Sequence, residues 1–135
     1  MYARPRTVEE AVAALAAPRA LILCGGTDVF PAHVERPLNR PIVDVSGIAA
    51  MRGIASEGNF IRIGAATSWT DIVAAPLPPA FAALREAARE VGSVQIQNRG
   101  TIGGNLCNAS PAADGVPPLL ALDAEVEIHG PAEIG

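Results

Sequence analysis

The sequence predicts an α+β fold in two unequal parts: a small αβ subdomain over residues 1–50, then a partial subdomain with a mixed or antiparallel sheet over 51–135. Three observations carry this expectation. A short amphipathic helix and a strand-length apolar run succeed one another near the N-terminus. Beyond residues 46–53 the pattern changes to two short strands about a turn. Each part also contains one Gly-Gly stretch in a run of small and polar residues, where the apolar period lapses.

In chain order, Thr7 to Ala17 reads as a helix with Val8, Ala11, Val12 and Leu15 as its apolar stripe. Thr7 and Glu10 form a capping box, and Pro18 marks the stop. Ala20 to Cys24 is a continuous apolar run, expected as a strand buried on both faces. Arg40 to Val45 reads as a second strand. Met51–Ile54 and Phe60–Ile63 are expected to flank a hairpin turn over residues 55–59. A helix starts at Ser68, with Asp71 in its first turn. Pro76 to Pro79 breaks the pattern. Ala80 to Val91 is the clearest helix, with Phe81, Leu84, Ala87, Ala88 and Val91 on one side and Gly92 as its natural stop. Ser93 to Gln97 is expected to lead into a loop over Asn98 to Asp114. Val116 to Leu122 reads as a short buried helix and Glu125 to His129 as a strand.

Composition narrows the function classes. Half the residues are hydrophobic and 18% are charged, as in a globular and not a disordered chain. Net charge is −4 and the basic residues, all arginine, are scattered, which argues against a nucleic-acid partner. No apolar run has the roughly 20 residues of a membrane span, and the N-terminus lacks the apolar centre of a signal peptide. Two cysteines, Cys24 and Cys107, make no disulfide framework, so a cytoplasmic chain is expected.

The Gly-Gly stretches hold the most chemistry. Gly25 and Gly26 follow directly on the first apolar strand, where ligands gather in parallel sheets. Taken alone, that pair is better explained as a plain strand-to-helix turn capped by Thr27 or Asp28. Gly103 and Gly104 stand in a run that fills no core and reads as a loop with several free backbone N–H groups. Two such loops can form the walls of one anion nest, suited to the diphosphate of a dinucleotide. Neither stretch is a P-loop or a G-x-G-x-x-G fingerprint. His33 and His129 lack neighbours at metal-ligand spacing. Ser110 lacks a nucleophile-elbow context, and two cysteines cannot hold an iron–sulfur cluster. Trp69 and Tyr2 could stack on a flavin or adenine, though single aromatics more often pack. A phosphate cradle without a catalytic side chain suits a bound redox cofactor that brings its own chemistry.

The run CGGTD after a strand, then IGAAT, then VGSVQIQNRGTIGGNLCNASPAADGVPPLLALDAEVEI resembles the FAD-binding medium subunit of the molybdenum hydroxylases, of xanthine dehydrogenase and aerobic carbon monoxide dehydrogenase type. The resemblance covers about Tyr2 to His129. It implies the vanillyl-alcohol-oxidase-like (PCMH-type) fold, with FAD in the cleft between two subdomains. It implies that Ile22, Leu23, Cys24, Gly25, Gly26, Thr27, Asp28 and Val29 form a first segment about the diphosphate, and that Thr101, Ile102, Gly103, Gly104 and Asn105 form a second. Asp114 matches an acid that hydrogen-bonds FAD hydroxyls, and Val91 an apolar contact to the cofactor. Cys24 stands where the family often has Ala or Val.

The resemblance further implies electron transfer. Substrate is hydroxylated at a molybdenum cofactor on a large subunit, and [2Fe–2S] clusters on a small subunit pass electrons to FAD here and on to NAD or another acceptor. No catalytic side chain and no metal is expected on this chain. The family's chain is longer, so this one is expected to bind FAD weakly by itself and to expose a sheet edge that a missing C-terminal half could cover. Two other readings stand beside it: a flavin-free module that completes an assembly by pairing with other subunits, and a nucleotide- or phosphate-binding domain with no redox role.

Overall fold

The computed structural model describes residues 2–24, 41–108 and 116–130. The first part is a three-stranded parallel sheet. β1 (Tyr2–Ala3) and β2 (Leu21–Leu23) flank β3 (Ile42–Asp44), in register Tyr2↔Ile42 and Leu23↔Asp44. α1 (Val8–Ala14) links β1 to β2. Its cap is the expected one: Thr7 Oγ1 accepts from Glu10 N at 3.1 Å. The return bond is displaced by one residue, because Glu10 Oε1 accepts from Arg6 N at 3.1 Å instead of from the N–H of Thr7. Ala11 packs with Val43, Val45 and Ile48 to make the first apolar cluster.

The run at Ala20 to Cys24 is a strand, but it is not buried on both faces. β2 is an edge strand, and Ile22 is 52% exposed while Leu23 is buried. A continuous apolar run does not distinguish the centre of a sheet from its edge; here the centre is β3, where Val43 is fully buried.

The second part begins with a hairpin, β4 (Ile54–Glu57) against β5 (Phe60–Ile63), in register Ile54↔Ile63 and Glu57↔Phe60. The expected turn over residues 55–59 shrinks to Gly58-Asn59, with Gly58 at φ +60° as a two-residue hairpin allows. Ala55 to Glu57 therefore belong to the strand. Ala49–Met51 is a 3₁₀ turn and not the start of β4.

Ser68 caps α2 (Trp69–Ala74), its Oγ accepting from Asp71 N at 3.1 Å. A 3₁₀ turn at Pro79–Phe81 feeds α3 (Ala82–Arg89), and Gly92 at φ +46° ends that segment. Trp69, Ile72, Leu84, Ala88, Val91 and Ile102 form the second apolar cluster.

The larger corrections fall on residues 93–108. Ser93 caps a helix, α4 (Val94–Arg99), where a lead-in was expected. The glycine-rich run itself is α5 (Ile102–Asn108), where a loop was expected. Its start is fixed by tertiary bonds: Ile102 N donates to Thr67 O at 3.1 Å, Gly103 N to Ala65 O at 2.9 Å, and Ser68 pairs with Thr101 in an antiparallel bridge. The run also fills core, since Ile102 is buried.

α6 (Val116–Ala121) is buried only in part: Pro118 is inside and Leu120 is 75% exposed. Residues 125–128 lie outside any strand, and of the expected strand only His129 takes part in a bridge. Glu127 is tied there to Arg62 of β5 at 3.2 Å and to His129 Nε2 at 2.6 Å, side-chain contacts that stand where a ladder was expected. No helix among the described residues is long and apolar enough to cross a membrane.

Candidate functional site

A cleft of about 440 Å³ opens at the carboxyl ends of β2 and β3. Leu23 and Cys24 line it from β2, and Asp44 and Ser46 from β3. Tyr2 contributes from β1, and Ala66, Ser68 and Thr101 from the second part. Arg52, Asn98 and Arg99 complete the described lining.

Backbone bonds and one side-chain clamp place the second wall. Ala66 N donates to Met51 O at 2.8 Å and Gly64 N to Gly53 O at 2.9 Å. Thr67, fully buried, clamps Gly53: its Oγ1 accepts from Gly53 N at 3.0 Å and donates to Gly53 O at 3.2 Å. Trp69 N donates to Gly100 O at 3.2 Å. Segments 51–53, 64–69 and 100–103 thus hold one another, and Thr101 is set opposite Cys24.

The second Gly-Gly stretch comes close to the end of β2, while Gly25 and Gly26 lie outside the described residues. A Cβ on Gly104 would lie 3.1 Å from Thr101 Oγ1 and 3.9 Å from Cys24 O, the residue just before Gly25. The cradle expected of the second stretch is built differently, however. Gly104 N donates to Thr101 Oγ1 at 3.0 Å and Asn105 N to Thr101 O at 3.1 Å. With the bonds of Ile102 and Gly103, every N–H from 102 to 105 has an internal acceptor, so these groups form no open nest. Nor is Gly103 small for a ligand's sake: a Cβ there would sit 2.7 Å from Ala65 O.

Charge in the cleft is mixed. Burial pushes the Asp44 carboxyl up, but hydrogen bonds from Tyr2 Oη (2.5 Å) and Ser46 N (3.0 Å), with the nearby charge of Arg4, outweigh it. Asp44 therefore titrates below its ordinary range and is ionised at neutral pH. The same bond holds the Tyr2 hydroxyl above its usual value. Burial pushes the Cys24 thiol up, and a hydrogen bond with Thr101 only partly offsets this. Cys24 is thus a neutral thiol at pH 7 and a poor nucleophile.

Of the sequence-predicted residues, Leu23, Cys24 and Thr101 line the cleft and Gly104 adjoins it. Ile22 is exposed on the edge strand. Val91 and Ile102 pack in the second apolar cluster, Gly103 against Ala65, and Asn105 is half-buried. Gly25, Gly26, Thr27, Asp28, Val29, Asp114 and His33 lie outside the described residues. Trp69 is core, 1% exposed. Sequence reasoning missed Arg52, Arg99, Ser68 and Asp44 as lining residues; they come from a 3₁₀ turn, two helix ends and a strand end that only the tertiary fold brings together.

A cleft at the ends of parallel strands, lined by hydroxyl, amide and guanidinium groups, suits a nucleotide-type cofactor. The chain belongs to the family described as the FAD binding domain in molybdopterin dehydrogenase, which it matches over residues 1–134. It is 40% identical over 134 residues to the xanthine dehydrogenase FAD-binding subunit of Escherichia coli O157:H7, covering 96% of this chain and 46% of that one. It is 35% identical over 135 residues to the carbon monoxide dehydrogenase medium chain of Hydrogenophaga pseudoflava, covering 96% and 47%. Among solved structures, the cyanide-inactivated form of Cu,Mo-CO dehydrogenase superposes with a TM-score of 0.88 at 30% identity, over 99% of this chain and 48% of that one. The chain spans about half the length of the curated relatives it matches.

Proposed function

We propose that this chain supplies the diphosphate-binding part of an FAD site in the medium subunit of a molybdenum hydroxylase. The observation that carries the reading is the meeting of Cys24 with Thr101 and Gly104 at one cleft. In this reading the fold is of vanillyl-alcohol-oxidase-like (PCMH) type, with subdomains over 1–50 and 51–135; the two separate apolar clusters support that division. Gly25 to Val29 wrap the diphosphate from one side, Thr101 and Gly104 bound it from the other, and Asp114 holds an FAD hydroxyl. Bound FAD supplies the redox chemistry. The chain's own residues bind the phosphates, close the cleft with Ala66 and Leu23, and fix the orientation of the cofactor. The partners are a large molybdenum-cofactor subunit and a small iron–sulfur subunit, with NAD or another acceptor taking the electrons.

The test is an absorbance spectrum and an FAD titration of the purified chain, with ADP as control. Saturable FAD binding with a shifted flavin spectrum, tighter than ADP, is the expected result. Binding no tighter than ADP would overturn the flavin reading in favour of a phosphate-binding domain.

A further inference from the structure

The charge of a diphosphate needs compensation, and the N–H groups of residues 102–105 are already taken by internal acceptors. Arg52 and Arg99 stand in the same cleft. Most other described arginines are engaged: Arg4 is near Asp44 at 3.8 Å, Arg62 pairs with Glu57 and Glu127, Arg89 pairs with Glu86, and Arg85 donates to Ala75 O. Arg52 and Arg99 have no acidic partner within ion-pair distance among the described residues. Two cations facing one cleft, with no acidic partner among the described residues, are a feature to be accounted for. Arg99 ends α4, where a cation is favoured by the helix dipole. Arg52 follows a 3₁₀ turn too short for that account, and its backbone is held by Arg52 N donating to Ala49 O at 3.1 Å and by the Thr67 clamp on Gly53.

We propose that Arg52, assisted by Arg99, is the charge anchor for the phosphate oxygens of the cofactor and gives the cleft its preference for a diphosphate over a single phosphate. This rests on the FAD reading above. A guanidinium presents a planar fork of donors to phosphate oxygens, and such charge-assisted bonds are about twice as strong as neutral ones.

The experiment titrates the full chain, R52Q, R52K, R99Q and, as a charge control on the opposite kind of site, R89Q with FAD, FMN, ADP and riboflavin at two salt concentrations. Urea midpoints verify that each variant is folded. R52Q is expected to lose about tenfold in FAD and ADP affinity, with a shallower salt dependence. R99Q loses less, R52K recovers part, and R89Q and all riboflavin titrations are unchanged. FAD binding by the wild-type chain that R52Q leaves intact would overturn the arginine assignment and leave the flavin reading standing. Failure to bind FAD, with ADP binding that still depends on Arg52, would sink the flavin reading and keep the anchor. Failure to bind any of the four would overturn both.

Discussion

Adjacent glycines in one motif invite a single explanation, yet the structure gives Gly103 and Gly104 different ones, and alanine substitution separates them. Gly103→Ala places a methyl 2.7 Å from Ala65 O and 2.9 Å from Ala65 Cβ. Ala65 cannot withdraw freely, because its neighbours are tied by Ala66 N to Met51 O at 2.8 Å and Thr67 N to Gly64 O at 3.0 Å. Overpacking of this kind costs about 1–3 kcal/mol. It also stretches the bond from Gly103 N to Ala65 O, worth about 1 kcal/mol. Alanine's better helix propensity returns up to about 1 kcal/mol. The expected net loss is therefore about 1–3 kcal/mol. At a urea slope of about 2 kcal/mol per molar, that is a midpoint lower by roughly 0.5–1.5 M.

Gly104→Ala meets a side-chain oxygen first, Thr101 Oγ1 at 3.1 Å, and then only Cys24 O at 3.9 Å. Thr101 can yield by rotation; the lost bond to Gly104 N and the gain in helix propensity, each about 1 kcal/mol, nearly cancel. Stability should stay within about 0.5 kcal/mol of wild type, while the methyl beside Cys24 narrows the cleft and weakens FAD binding. The assay is equilibrium urea unfolding followed by the fluorescence of Trp69, the single tryptophan, paired with FAD titration. A Gly103→Ala midpoint at or above wild type, or a Gly104→Ala protein that is both unstable and unimpaired in FAD binding, would refute the reasoning.

Three further outcomes follow from the same geometry. Thr67→Val removes both bonds to Gly53 and leaves that N–H without its acceptor inside the structure; it should cost about 1–3 kcal/mol in urea unfolding. Asp44 has a folded-state carboxyl pKa below its ordinary 3.8, so its contribution is fully present above that value and is lost as pH falls through the folded pKa. Asp44→Asn should therefore be less stable than wild type at pH 7, and the difference should vanish toward pH 2 in thermal melts. Cys24 in a Cys107→Ser background should alkylate more slowly at pH 8 than a free thiol, because burial raises its pKa, and FAD or ADP should slow it further; mass spectrometry reads both rates.

Local chemistry was legible where a side chain speaks to its own backbone. Thr7 caps the helix it was expected to cap, the helix expected from Ser68 forms with Ser68 as its cap, Gly58 turns the hairpin and Gly92 ends the long helical segment. What escaped was structure decided at a distance. Residues 102–108 include two glycines, each costing about 1 kcal/mol in a helix relative to alanine, so propensity alone argues for a loop. The helix forms because its first turn is bonded to the neighbouring segment at Thr67 O and Ala65 O, because Ile102 is buried, and because Thr101 caps Gly104.

The same distant bonds decide the site. By taking the N–H groups into the fold, they leave Arg52 and Arg99 as the guanidinium groups lining the cleft; Arg52 belongs to no motif, and Arg99 stands just before the glycine signature without being part of it. A glycine signature can thus locate where a diphosphate lies without naming the groups that hold its charge. Here the glycines provide close packing and space, Gly103 against Ala65 and Gly104 beside Cys24. Under the anchor proposal, arginines that lack acidic partners among the described residues mark where the anion would bind.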